Sequence, residues 1–269
     1  MKTNGIFCLA ALLACISTPA LAQSDALDKI KKDGVIKIGV KTNYQPFGML
    51  NSSGKIIGIE PDLAADIGKQ MGVKVELVPV ESSNRIQFLQ QGRIDVLIAT
   101  LGVSAERVKV VNFIQPYYYA SGTGLLVRPE SGIKAWEDLK GKTLCGVQGT
   151  YYNRPVSEKY GATVSAFANI SEAQTALKNG SCIGLLDDSI VTGKILMEGK
   201  LPGYVAPLPP GDPQPWGLAT ALSNKDSALA KNLSAIVTGW HKSGKILALE
   251  KAAGLPESKW LLDAQQQVK

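Results

Sequence analysis

The chain has 269 residues, of which 45% are hydrophobic and 19% charged, and carries a formal charge of +6. That charge is thinly spread. Its densest cluster, Lys29-Ile30-Lys31-Lys32, is split by an isoleucine, which excludes the concentrated basic stripe of a nucleic-acid-binding surface; the length suits one large domain or two lobes of ordinary size.

The first 22 residues read as a secretory signal peptide. Lys2 precedes an apolar run over 6–16 that is too short to cross a bilayer, and Ala20-Leu21-Ala22 offers small residues for cleavage. A mature chain beginning at Gln23 in the periplasm is expected. A lipoprotein reading competes, because Leu12-Leu13-Ala14-Cys15 loosely resembles an acylation signal at Cys15. The short run before Cys15 and the downstream Ala-Leu-Ala favour ordinary cleavage. No later stretch is apolar enough to span a membrane. Removal of the leader leaves two cysteines, Cys145 and Cys182. An even pair in an oxidising compartment predicts a disulfide. Two thiols without neighbouring histidines make a poor zinc site, and no metal or cofactor is implied.

In chain order, Val35 to Val40 reads as a strand, and Pro61 opens a helix that runs to Met71 and closes at Gly72. Residues 73–80 alternate as a strand, 84–91 are helical, and 94–100 form a buried strand. This βαβαβ order predicts a mostly parallel sheet with helices on both faces. A second set follows: a short helix at 136–139, a strand at 143–147, a helix at 170–178 and a strand at 183–186. Residues 227–249 read as one amphipathic helix.

Ligands of such sheets bind beyond the carboxyl ends of the strands, and polar residues gather there. Lys41, Asn43 and Tyr44 follow the first strand, and Arg85 follows the second. Thr100-Leu101-Gly102 follows the third, with Arg107 one turn into an expected helix. Gly149-Thr150-Tyr151 and Asp187-Asp188 end strands of the second set. Backbone N–H groups at a helix start over 102–104 would suit an anion, and arginine adds a bidentate fork for a carboxylate.

The ordered segments Tyr44-Gln45-Pro46-Phe47, Gly58 to Leu63, Gly92 to Val96, Ser104 to Arg107, Phe113 to Tyr118 and Leu139 to Thr150 together resemble the family 3 extracellular solute-binding proteins, the periplasmic receptors of polar amino acid ABC importers. The likeness runs from about Asp33 to Trp260. It implies an α/β type II periplasmic-binding-protein fold, with two lobes joined by crossings near 121–125 and 213–220. Lobe 1 would be discontinuous (23–122 and 220–269) and lobe 2 continuous (123–219). The likeness further implies a monomer that delivers an amino acid to an inner-membrane permease.

By the same likeness, Arg107 takes the ligand's α-carboxylate with help from Thr100, Gly102 and Thr150. Asp187 takes the α-ammonium, with Asp188 as rival, and Tyr44 covers the aliphatic part. The chain departs from the family pattern at Gly102, where a hydroxyl is common, at Tyr151, where a second threonine is common, and in a stretch before Asp188 one residue short. Lys41 and Arg85 resemble the cations of glutamate and aspartate receptors. Counted with Arg107 against Asp187 they give a net positive site, which complements an acidic amino acid.

Other readings carry less. Gly122-Thr123-Gly124 lacks the third glycine of a dinucleotide motif, the proline-rich 207–215 reads as a rigid connector, and His241 is expected on the surface. A few proteins resembling this family are cyclohexadienyl dehydratases, for which Asp187, Asp188 or Glu60 would have to serve as the acid. A receptor for opines or related carboxylated amino acids is a third alternative.

Overall fold

The computed structural model describes residues 26–268. The signal peptide over 1–22, its cleavage before Gln23 and the alternative at Cys15 lie outside the described residues. Among these residues no helix is long and apolar enough to cross a membrane.

Two α/β lobes are built on two sheets. The first sheet runs in the order Lys74–Pro79, Val35–Val40, Val96–Leu97, Ala219–Ala221, Val111–Phe113. Its first three strands are parallel; Ala219–Ala221 is antiparallel to the strand on either side, so Val111–Phe113 runs the same way as the first three. The second runs Thr163–Phe167, Thr143–Val147, Gly184–Asp188, Thr123–Val127, with only the last strand antiparallel. Between them Tyr119–Ser121 pairs with Gln214–Trp216 as a two-stranded ribbon, beside the expected crossings. Phe47, Tyr119 and Trp216 pack around this ribbon, with ring centroids 4.9–5.2 Å apart. Buried aromatic contacts of this kind add about 0.5–1.5 kcal/mol each beyond their area.

Local chemistry explains most element boundaries. Thr143–Val147 and Ile170–Lys178 fall where expected, and Asn169 caps the helix by accepting the N–H of Glu172. The Ile59–Met71 helix starts two residues before Pro61. Its first-turn N–H groups lack intrahelical partners in any case, so proline is tolerated there. Leu63, Ala64, Ile67 and Met71 form its buried face, and Gly72 ends it at φ 70°. Four expectations are corrected. The 94–100 segment is buried, but only Val96–Leu97 form a regular ladder. The strand expected at 183–186 is Gly184–Asp188, so both aspartates lie inside it. No helix begins at 102–104: Gly102 forms a bridge with Trp216, and Arg107 opens a short 3-10 turn to Lys109. The long last helix breaks at Gly244, φ 69°, into Ala228–Ser243 and Lys245–Ala252.

His241 is not on the surface. It is buried on the same helical face as Val237 and Trp240, and its Nε2 lies 2.8 Å from the carbonyl of Tyr117. Burial lowers its pKa, in keeping with a neutral packed ring.

Cys145 and Cys182 form the expected disulfide, with a Cα–Cα distance of 5.6 Å across 37 residues. Closing a loop of that length stabilises the fold by about 4 kcal/mol in the chain-entropy model. The bond ties the strand leading to Gly149 to the turn that enters the aspartate strand.

Candidate functional site

The carboxyl ends of both sheets face each other, and charged side chains are buried where they meet. Lys41, Glu60, Arg85, Asp187 and Asp188 are each no more than 3% exposed. Buried charges persist only when paired and hydrogen-bonded, so each needs an account.

Thr100 adopts φ 47°, an uncommon conformation for a β-branched residue. Its N–H donates to Glu60 Oε1 at 2.7 Å, and Tyr118 Oη donates to the same carboxylate oxygen at 2.5 Å. Arg85 Nη1 donates to the Ala99 carbonyl and to the Thr100 carbonyl, the latter at 3.1 Å. The strained turn is therefore held from both sides by a buried acid and a buried base. Arg85 Nη2 also reaches the Gly149 carbonyl of the other lobe at 3.3 Å. Arg107 donates to the carbonyls of Gly102 and Gly149, each at 2.8 Å. Burial and the neighbouring Arg85 pull its pKa down to about 10. The Gly149 carbonyl, beyond the end of the Thr143–Val147 strand, thus holds both guanidinium groups. The approach is possible because residue 149 is glycine. At φ 76° it favours no other residue, and a Cβ would stand 2.7 Å from Ser83 Cα.

Tyr44 spans the lobes as well. Its hydroxyl lies 2.5 Å from Asp187 Oδ1 and 2.6 Å from Asp188 Oδ2. Asp187 Oδ1 also accepts from Tyr152 Oη at 2.6 Å and from the Asp188 N–H at 2.8 Å. A phenol carries one proton, so one of its two carboxylate contacts requires a protonated carboxyl. Asp188 suits that role: burial, then the adjacent Asp187, raises its pKa to about 7. Asp187 Oδ2 and Asp188 Oδ1 are buried and have no hydrogen-bond partner. Two adjacent partnerless acceptors are what an ammonium with three donors can satisfy.

The Lys41 ammonium lies 3.6 Å from the centroid of the Tyr44 ring. Burial, then Arg85, lowers its pKa to about 8. Burial also raises Glu60 to about 7. With every group ionised, Lys41, Arg85 and Arg107 are balanced by Glu60, Asp187 and Asp188. The net positive count expected from sequence left out Glu60 and Asp188; with one of the two aspartates protonated, as the Tyr44 geometry requires, one positive charge returns.

The expected residues separate into two halves. Lys41, Tyr44, Arg85, Thr100, Asp187 and Asp188 form the packed interior. Arg107, Thr150 and Tyr151 line an adjoining hollow of about 700 Å³. Thr150 Oγ1 donates to the Val147 carbonyl at 2.9 Å, so its hydroxyl proton is already used. Glu60, Tyr118 and Tyr152 join the site without having been expected as ligand-binding residues.

The sequence from 36 to 254 matches the model of the bacterial extracellular solute-binding proteins, family 3. The chain belongs to that family. It is 36% identical to the ABC transporter glutamine-binding protein GlnH of Bacillus subtilis (strain 168), over 83% of this chain and 82% of that one. It is 29% identical to the glutamate/aspartate import solute-binding protein of Salmonella typhimurium (strain LT2), over 69% of this chain and 66% of the other. Among solved structures, an ancestral amino acid-binding protein described as a precursor of cyclohexadienyl dehydratase superposes with a TM-score of 0.75 at 26% identity, covering 84% of this chain and 98% of its own. As a family 3 solute-binding protein, the molecule binds a small amino-acid ligand and works with the membrane components of an ABC transporter.

Proposed function

We propose that this solute-binding protein captures an acidic amino acid, glutamate or aspartate, in the periplasm and delivers it to an inner-membrane permease. Lobe 1 is read as 23–122 with 220–269 and lobe 2 as 123–219. Asp187 and Asp188 receive the α-ammonium, Arg107 the α-carboxylate and Lys41 the side-chain carboxylate. Thr100, Gly102, Thr150 and Tyr151 frame the α-carboxylate end, and Arg85 supports that end through Thr100. Lys41 carries the specificity argument: it is a buried ammonium that donates no hydrogen bond to any described residue and rests on an aromatic face. A ligand carboxylate would supply the missing acceptor.

A second reading, glutamine, is favoured by the formal balance of three cations and three carboxylates and by the ligand named for the Bacillus relative. Mass spectrometry of the ligand carried through gentle purification separates the two. The protein is read as a binder rather than an enzyme. Its partnerless carboxylate oxygens support this reading, since they suit an ammonium ligand, and incubation with prephenate or arogenate should give no phenylpyruvate or phenylalanine above background.

The site also sets a pH dependence. Bound ammonium requires Asp188 ionised, whereas in the unliganded site burial and the adjacent Asp187 raise its pKa to about 7, so below that pH binding releases a proton. Affinity should fall below about pH 7, approaching tenfold per pH unit. Above about pH 8 Lys41 loses its charge, and affinity for an acidic ligand should fall again. Calorimetry across pH 5–10 should give a maximum between these limits. A flat profile would remove Asp188 and Lys41 from the binding equilibrium.

A further inference from the structure

Gly102 and Tyr151, the two departures from the family pattern, meet across the lobes. A Cβ on Gly102 would lie 2.7 Å from Tyr151 Cδ1 and 3.2–3.3 Å from the next two ring atoms. Any side chain at 102 therefore excludes this position of the ring. The Tyr151 ring also packs against Tyr152, T-shaped with ring centroids 4.9 Å apart, and its hydroxyl donates to the Ser121 carbonyl at 2.9 Å. Ser121 ends one strand of the ribbon between the lobes. One side chain of lobe 2 thus touches lobe 1 at a bare backbone and the hinge at a carbonyl.

The pairing has a chemical cost. Position 102 offers no hydroxyl, and the hydroxyl of Tyr151 is already bonded to Ser121. A serine or threonine at either position could have donated to a ligand carboxylate. We propose that Gly102 and Tyr151 are one inter-lobe positioning element, in which the ring seated on the glycine sets the closed angle and the hydroxyl fastens that angle to the hinge. The element exchanges two potential carboxylate-binding hydroxyls for a closure contact, and leaves Arg107 as the principal side-chain donor at that end. This rests on the reading of the molecule as an amino-acid binder for its affinity arm only.

The test is a double-mutant cycle on the full mature protein, with glutamate and glutamine as probes, using Gly102→Ser, Tyr151→Thr and the double variant, with Tyr151→Phe alongside. Forcing a side chain into the ring should weaken binding about tenfold or more in Gly102→Ser. Tyr151→Phe, which keeps the ring but loses the hydroxyl that bonds Ser121 and interacts with Thr123 and Asp188, should weaken it about two- to tenfold. The double variant should bind better than Gly102→Ser, because the smaller residue removes the collision. Ligand-free melting temperatures identify any variant that fails to fold. Small-angle scattering supplies an arm that needs no ligand: Gly102→Ser should have a larger radius of gyration than wild type, and the double variant should return toward it. Multiplicative losses in affinity, or identical radii for Gly102→Ser and wild type, would overturn the proposal. If the wild type binds neither probe nor any other amino acid while the radii follow the expected order, the ligand reading fails and the closure element stands.

Discussion

Arg107→Ala should abolish amino acid binding, with affinity reduced more than a hundredfold for every ligand. Arg107 is proposed to receive the group common to all amino acids, the α-carboxylate, and truncating one partner of a buried ion pair costs about 3–5 kcal/mol. Its guanidinium already bridges Gly102 and Gly149 at 2.8 Å, so its loss also removes an inter-lobe contact. Calorimetry with glutamate, aspartate and glutamine measures the effect, and circular dichroism checks the fold. Retention of affinity within tenfold would show that the carboxylate is held elsewhere. Arg107→Lys should recover only part of the loss, since an ammonium keeps the charge but not the two-pronged geometry.

Lys41→Ala should instead change preference. If Lys41 pairs with the side-chain carboxylate, its removal should cost about 1.5–3 kcal/mol for glutamate, or about ten- to a hundredfold in affinity. Glutamine, which lacks that charge, should lose much less. The buried setting of Lys41, 3% exposed and over the Tyr44 ring, gives this effect its size, because an exposed pair would be worth under about 1 kcal/mol. Equal weakening of both ligands would assign Lys41 to the shape of the site. Tightest binding of a cationic amino acid would end the acidic reading while leaving the fold untouched.

The fold was legible where one physical signal acted alone. Alternating and apolar runs located Val35–Val40 and Thr143–Val147, and the Asn169 cap helps fix the start of Ile170–Lys178. It was less legible where tertiary bonds redirect the chain. The apolar run over 94–100 looks like one strand, yet Thr100 turns out of line at φ 47° under the pull of Glu60, Tyr118 and Arg85. No local pattern encodes bonds to residues so distant in sequence.

The site was legible as a set of strand ends, and the residues clustered there do converge. Its charge balance was not. Glu60 lies on the helical face of Leu63, Ala64 and Ile67, and a carboxylate in an apolar row was the available signal for a buried partner. Asp187 and Asp188 looked like alternatives because the stretch before them is one residue shorter than the family pattern. The Tyr44 hydroxyl reaches both, so they work as a pair. Arg85 read as a contact to ligand; its hydrogen bonds instead go to the backbone of Ala99, Thr100 and Gly149 and to the Thr100 hydroxyl, groups that become its neighbours only after folding.

The four tryptophans give the molecule a built-in optical signal. Trp216 is fully buried against Phe47 and Tyr119 at the ribbon, with its indole N–H unpartnered, so it should emit at short wavelength and resist iodide. Trp240 is equally shielded, with its N–H given to Asp66 at 2.7 Å. Trp136 instead stacks on Tyr160 in the wall of the hollow, where a quencher can approach from solvent. Trp260, half-buried against His241 and away from the hollow, is also open to quencher. In a Trp260→Phe variant, iodide quenching should therefore sense the width of the opening through Trp136, while the colour of the emission senses strain at the ribbon through Trp216, and a single cuvette follows both.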